Sequence, residues 1–231
     1  FINNGADDNA IGTAGILEVV EACAQLEDRP RRSIIFALWD GEEKGLLGSK
    51  HWLANPTVPL DKVRMMINMD MIGRLRNDRL EVSGTRTGEG LRQLVGMHNG
   101  NPDLVLDFTW EIEDNSDHYP FFERGIPILM LHTGLHDEYH RPSDDAHLIN
   151  SEGMERIGRL LLGVIDDAAN RDTLPGFRRE SRYESPSDSR EYEQSLPPLP
   201  SRLGVRWSDD SEAAGEGLRI VYVTPGSPAA Q

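Results

Sequence analysis

Two adjacent glutamates, Glu42 and Glu43, follow an apolar run at residues 33–38 and an Asp-Gly turn signal. The run predicts a buried strand, so both carboxylates are expected just past its carboxyl end. Adjacent side chains diverge, and one glutamate can therefore bind a metal ion while the other accepts a proton from water. Metal-assisted hydrolysis requires this division of roles.

Three further side chains that can bind metal occupy comparable settings. Asp8 stands before a predicted helix, Asp70 lies near the end of the apolar run 63–71, and His140 lies in a Tyr-His-Arg-Pro segment. An aspartate in an apolar strand is costly to bury unless it is paired or bound to a cation. Carboxylate and imidazole ligands suit zinc, and also manganese or cobalt. Occurring in this order, these residues predict a metal centre.

The elements that position these side chains alternate between strand and helix. The predicted strands cover residues 33–38, 63–71, 80–82, 104–110 and 126–131, and the predicted helices cover 10–26, 46–53, 89–97, 116–124 and 151–169. This alternation predicts a layered α/β domain. Open α/β sheets bind ligands beyond the carboxyl ends of their strands, which is where these metal ligands are expected. The aromatic residues Trp39 and Trp110 are interpreted as packing residues rather than as surfaces for substrate.

Charge and composition narrow the possible partners. Acidic residues outnumber basic ones 39 to 24, giving a net charge of −15. This charge argues against a nucleic acid partner. No apolar run approaches the ~18 residues of a transmembrane helix, so no transmembrane segment is predicted. The single cysteine, Cys23, excludes an intrachain disulfide and lies in a helical apolar pattern.

With these motifs the sequence resembles the M28 family of zinc aminopeptidases, from Gly5 to about residue 150. The resemblance implies an α/β, three-layer zinc-exopeptidase fold with a mostly parallel mixed central sheet. It also implies zinc-dependent release of the N-terminal amino acid from peptide substrates with a free N-terminus.

The resemblance also implies how the metal ligands divide. Asp8 corresponds to the aspartate that bridges two zinc ions. Glu43 and His140 correspond to the other ligands of one zinc, and Asp70 to a ligand of the second. The family supplies one more histidine from a His-x-Asp motif upstream of Asp8, and the sequence has no histidine there. We therefore expect one complete zinc site in this chain, two in the full-length protein, and impaired activity in the fragment.

Other positions correspond to groups that act on the substrate. Glu42 matches the general base, and Tyr139 matches the tyrosine that hydrogen-bonds the tetrahedral intermediate. Asp117 and His118 match an element near the substrate pocket. His136 lies in the same loop as Tyr139 and is expected to orient a ligand or to line the pocket.

The C-terminal part differs in character. Residues 171–200 are charged and rich in serine and proline, which predicts a linker. Residues 201–231 resemble the start of a PDZ domain, with matches at 203–205 and 226–230, and a full domain would bind a peptide ligand. The expected division is a peptidase domain at 1–170, the linker, and an incomplete PDZ domain, with the sequence truncated at both ends. This pairing of domains is known in bacterial envelope proteins and suggests export to the envelope or periplasm.

Three alternatives remain open at this point. A glutaminyl cyclase-like enzyme uses a single zinc with a similar ligand set, and carboxypeptidase-like relatives differ in the charge of the pocket. The intact Asn-Met-Asp motif at residues 68–70 and the PDZ start favour the peptidase. A non-catalytic binding module with a vestigial site is the third alternative. Glu42 and Tyr139 argue against it, since neither is needed only to hold a metal.

Overall fold

A four-stranded mixed sheet forms the centre of the protein. The computed structural model describes residues 2–100, 102–195, 205–207, 220–223 and 229. The strands of the sheet are β1 (Met66–Met69), β2 (Arg79–Ser83), β3 (Val105–Phe108) and β4 (Ile128–His132). Their order is β1-β4-β2-β3. β1 is parallel to β4, β2 is parallel to β3, and β2 runs antiparallel to β4. The predicted α/β class with a mixed sheet is confirmed.

Helices cover both faces of this sheet. They are α1 (Ile11–Ala24), α2 (Leu47–Ala54), α3 (Leu91–Met97), α4 (Tyr119–Glu123) and α5 (Ser151–Asn170). Side chains of a strand alternate between faces. In β4, Leu129 and Leu131 accordingly join a core cluster that includes Ile157 of α5, while Ile128 joins a second cluster with Phe121 of α4. The sheet is thus enclosed between two helical layers.

The predicted strand at residues 33–38 is not formed in the described part of the chain. The segment lies there without strand pairing. Ile35 is 53% exposed and Leu38 57% exposed. A cavity of about 710 Å³ is lined by this segment and by β1. An apolar run becomes a strand only when a neighbouring backbone pairs with it, and no described residues do so here.

The segment that follows α5 is packed rather than extended. Residues 171–195 form short helical turns at Arg179–Arg182 and Pro186–Asp188, then helix α6 (Ser189–Ser195). Phe177 forms an isolated bridge with Gly88, and its ring contacts the core residue Phe122 with centroids 5.8 Å apart. Charged side chains of this segment donate hydrogen bonds to the domain, as Arg178 does to the Arg86 carbonyl and Arg182 to the Glu123 carbonyl. The division into a peptidase domain and a linker at residue 170 stays a prediction.

A second compact unit comprises residues 197–231. Its described elements are β5 (Val205–Trp207) and β6 (Ile220–Val223), which pair antiparallel. Both stretches carrying the PDZ resemblance, 203–205 and 226–230, fall mostly outside the described residues, so the PDZ assignment stays a prediction. Within the part of the chain that the structure describes, no helix has the length and apolar character needed to cross a bilayer.

Candidate active site

Three separate segments bring Asp8, Glu43 and His140 together. The Nε2 atom of His140 lies 3.2 Å from Asp8 Oδ2 and 3.2 Å from Glu43 Oε1. One ligand atom from each residue falls within 4.8 Å of the others. Ligand atoms bonded at ~2.0 Å to a tetrahedral zinc lie roughly 3.3 Å apart. The three side chains therefore fit a single zinc ion.

Local turn geometry places the paired glutamates. They open a single helical turn, Glu42–Lys44, bracketed by Gly41 at φ 69° and Gly45 at φ 98°. These positive φ values favour glycine. The amides of Gly45 and Leu46 donate to the carbonyl of Glu42 at 2.9 and 2.8 Å, which closes the turn. The turn thus forms although residues 33–38 before it are not paired in a sheet.

Asp70 comes directly after β1 and is buried, with 9% of its surface exposed. The Ser116 hydroxyl donates to Asp70 Oδ2 at 2.6 Å and itself accepts from Asn68 Nδ2 at 2.7 Å. Burial raises the pKa of Asp70, and the Ser116 hydrogen bond opposes this shift. Asp70 Oδ1 is buried and has no hydrogen-bond partner among the described residues. A buried oxygen of this kind fits a metal ligand.

Asp144, which the sequence analysis did not single out, holds the loop that carries Asp8. Its Oδ2 accepts from the amides of Asp7 and Asp8 at 2.8 and 3.0 Å. Its Oδ1 pairs with the Arg74 guanidinium at 3.1 Å. Burial tends to raise the pKa of Asp144, but the hydrogen bonds from Asp8, Arg74 and Asp7 outweigh it and lower the pKa. The carboxylate is therefore ionised and fixes the Asp8 backbone.

His136 supports the same loop and does not line the cleft. Its Nε2 lies 3.2 Å from Asp7 Oδ2, and its Nδ1 lies 3.1 Å from Glu138 Oε2. Asp7 is fully buried, and its Oδ1 accepts from the Gly73 amide at 2.6 Å. His136 was predicted either to orient a ligand or to line the pocket. Its position beside Asp7, next to the candidate ligand Asp8, favours the first of these roles.

One cavity of about 700 Å³ is lined by all five predicted metal-centre residues. They are Asp8, Glu42, Glu43, Asp70 and His140. Tyr139 and His118 also line it. Asp117 is not among the lining residues; it is buried and accepts a hydrogen bond from Ser49.

Burial and mutual repulsion tune the groups in this cleft. Burial, followed by the charges of Asp70 and Glu43, raises the pKa of Glu42 to about 7. Burial and the same two charges raise the pKa of Asp8 to about 7. Burial and the nearby carboxylates also raise the pKa of Tyr139, so its phenol stays protonated and can donate a hydrogen bond. The site thus contains a proton acceptor suited to neutral pH and a neutral donor.

Comparison with known proteins identifies the family. The model of peptidase family M28 matches residues 1–165. The chain belongs to peptidase family M28. It is 30% identical over 131 residues to leupeptin-inactivating enzyme 1 of Streptomyces exfoliatus, covering 56% of this chain and 29% of that protein. It is 25% identical over 194 residues to aminopeptidase YwaD of Bacillus subtilis, covering 80% and 42%. The chain thus spans less than half of the length of each of these two relatives.

Solved structures share the fold of this M28 chain. A zinc aminopeptidase from Bacillus subtilis matches with a TM-score of 0.65 and 24% identity, over 74% of this chain and 44% of that one. A glutaminyl cyclase from Porphyromonas gingivalis matches with a TM-score of 0.55 and 20% identity, over 71% and 64%. The fold alone therefore does not separate the peptidase from the cyclase.

Proposed function

We propose that the protein is a zinc-dependent aminopeptidase that releases N-terminal residues from peptides. The observation that carries this proposal is the set Asp8, Glu43 and His140 at zinc-ligand spacing, beside the half-buried carboxylate of Glu42 in the same cavity. Membership of family M28 and similarity to an aminopeptidase support it.

Asp8, Glu43 and His140 would hold one zinc ion, and Asp70 with Asp8 would contribute to a second in the whole protein. Zinc would polarise the substrate carbonyl and make water more acidic. Glu42 accepts the proton of the attacking water and later delivers it to the leaving amine. The Tyr139 phenol donates a hydrogen bond to the oxygen that gains negative charge.

The acidic cleft also accounts for the choice of a free N-terminus. Its described lining includes carboxylates beyond the proposed ligands, Glu81, Glu111 and Glu113, and no lysine or arginine. A substrate α-ammonium is attracted by such a cleft, whereas a C-terminal carboxylate is repelled. This charge favours an aminopeptidase over a carboxypeptidase-like enzyme.

The glutaminyl cyclase-like alternative is supported by the ligand set Asp8, Glu43 and His140, the single such group of three among the described residues. The buried Oδ1 atom of Asp70, which has no hydrogen-bond partner within the described part of the chain, favours the peptidase, because a second cation would satisfy it. Incubation of the zinc-loaded whole protein with glutaminyl peptides separates the two activities. Release of free glutamine supports the peptidase, and a cyclised N-terminus supports the cyclase.

Paired variants of the adjacent glutamates test the proposed roles. Glu42→Gln should retain zinc and lose about 10²–10⁴-fold in turnover of leucyl 4-nitroanilide, because the general base is removed. Glu43→Gln should lose both zinc and turnover. Glu155→Gln, on an exposed pair of α5, is the matched control and should change neither. Equal zinc loss in the first two variants contradicts the division of roles.

We further propose that residues 201–231 begin a PDZ domain with a peptide ligand, and that the protein is exported to the bacterial envelope or periplasm. The antiparallel pair of β5 and β6 is compatible with the first strands of such a domain. Binding of peptide libraries to the whole protein tests the domain. Fractionation of cells tests the location.

A further inference from the structure

Trp110 lies on the wall of the cleft, in the same cavity lining as Asp70 and Tyr139. One face of its indole is covered by the Arg86 guanidinium, whose carbon lies 4.7 Å from the ring centroid. Arg86 Nε also donates to the Trp110 carbonyl at 2.8 Å. Arg86 therefore fixes both the backbone and the ring of Trp110.

Arg86 is held in turn by the segment 176–195, which we name the C-terminal strap. Arg86 Nη1 donates to the Ser181 carbonyl and lies 3.4 Å from Glu184 Oε2. Arg178 Nη2 lies 2.6 Å from Glu184 Oε1, and Arg178 Nη1 donates to the Arg86 carbonyl at 2.7 Å. Glu184 thus bridges two arginines, one in the domain and one in the strap.

The strap also reaches the indole directly. The Tyr192 ring packs edge-on against Trp110, with centroids 5.8 Å apart and an interplanar angle of 66°. The Arg178 guanidinium lies 4.3 Å from the centroid of Tyr192. Aromatic pairs favour this edge-to-face geometry, which limits how the indole can turn.

The contacts around Trp110 depend on the strap staying packed against the domain, because the charged groups that form them are buried. The side chains of Arg86 and Glu184 are only 9% and 15% exposed. A buried charge is stable only while its partner remains in place. Displacement of the strap would leave Arg86 without its carboxylate and the indole without its edge contact. The position of Trp110 is therefore coupled to the strap.

We propose that the C-terminal strap positions Trp110 as an apolar wall of the cleft, where the indole contacts an apolar side chain of the peptide substrate. Arg86, Glu184 and Tyr192 are positioning residues, acting through Trp110. This inference rests on the proposed aminopeptidase activity and revises the interpretation of Trp110 as a packing residue only.

Two tyrosines of the strap provide a matched test. Tyr192→Ala in the zinc-loaded whole protein should raise KM for leucyl 4-nitroanilide by about threefold to tenfold, the effect of losing one aromatic contact. It should leave kcat within about twofold, because the reacting groups are untouched. The preference for leucyl over alanyl substrate should fall. Tyr183→Ala, at a site 85% exposed, should change none of these values.

Further measurements separate positioning from a purely structural role. Tyr192→Phe keeps the ring and should restore the wild-type KM. Acrylamide quenching should increase in Tyr192→Ala, and this increase should disappear when Trp110→Phe is added. A lower melting temperature with unchanged KM and unchanged substrate preference would overturn the inference. Absence of hydrolysis by the zinc-loaded wild type would instead contradict the proposed function, and the quenching result would still test the coupling of strap and indole.

Discussion

Asp144→Asn should weaken metal binding although Asp144 is not a proposed ligand. The two oxygens of this carboxylate have different partners. Oδ2 accepts from the amides of Asp7 and Asp8, while Oδ1 accepts from Arg74. Asparagine has one accepting oxygen, so it can serve the two amides or the guanidinium but not both. The NH₂ group of the asparagine would then face the remaining N–H donors, with which it cannot form a hydrogen bond.

The magnitude follows from the burial of this network. Asp144 and Arg74 have side chains only 2% and 11% exposed, so lost partners are not replaced by water. The variant loses either hydrogen bonds to a charged group or the partner of a buried ion pair. Losses of this kind lower the free energy of unfolding by about 2–4 kcal/mol. A looser Asp8 backbone should lower zinc affinity by about 10–100-fold, the usual effect of removing a group that orients a metal ligand.

Two assays measure these effects separately. Urea unfolding of the zinc-free protein gives the loss of stability, because no bound ion then contributes to the folded state. Competition with a chromophoric chelator gives the zinc affinity. Asp145→Asn, at the next position, is the control. Among the described residues, the Asp145 carboxylate has a hydrogen bond from the side chain of Asn4 and none from the amides of Asp7 and Asp8. It should leave zinc affinity unchanged.

One result would refute this reasoning. If Asp144→Asn lowers stability as expected but binds zinc with wild-type affinity, Asp144 supports only the fold. The position of Asp8 would then be fixed by other contacts, such as those of the short helical turn Ala6–Ala10 that contains it.

Two further predictions concern stability. Burial lowers the pKa of His118 from about 6.5 to about 4, so the stability that depends on neutral His118 is complete above pH 6.5 and is lost as the pH falls towards 4, by about 3 kcal/mol. Because the raised pKa values of Asp8 and Glu42 act in the opposite direction, urea unfolding of the wild type is compared with that of His118→Gln at each pH. The stability of the wild type relative to the variant should fall by about 3 kcal/mol from pH 6.5 to pH 4; a difference that does not change with pH would contradict this role of His118. Gly84→Ala should lower the free energy of unfolding by about 3 kcal/mol, against about 1 kcal/mol for Gly90→Ala. Both glycines have φ near +80°, but a Cβ at Gly84 would clash with Ile128, with its side-chain Cδ1 and with its carbonyl oxygen at 2.6 Å, whereas a Cβ at Gly90 would meet no described atom within 4 Å. Equal melting temperatures for the two variants would contradict this account.

The sequence predicted the chemistry of the site from residue types that stand next to turns. Glu42 and Glu43 lie in a turn that Gly41 and Gly45 begin and end with positive φ angles. The positions of the two carboxylates therefore depend on local geometry. The supporting groups were missed for the opposite reason. Asp144 contacts Asp7 and Asp8 across more than 130 residues of sequence, and no spacing rule indicates such a contact. Its only signal in the sequence is its position four residues after His140.

The apolar run at residues 33–38 shows where pattern reasoning fails in physical terms. Its composition predicts burial, but burial and strand pairing are properties of the neighbours as much as of the run. In the described chain, β1 forms one end of the sheet, and a cavity of about 710 Å³ is lined by both β1 and this segment. The glutamate turn after it nevertheless reaches His140, because the described backbone hydrogen bonds that close the turn run to the carbonyls of Gly41 and Glu42 and not to the sheet. The candidate metal ligand Glu43 is therefore placed by the local turn. The prediction of a strand at residues 33–38 was wrong, but this error does not change the position of Glu43 beside His140.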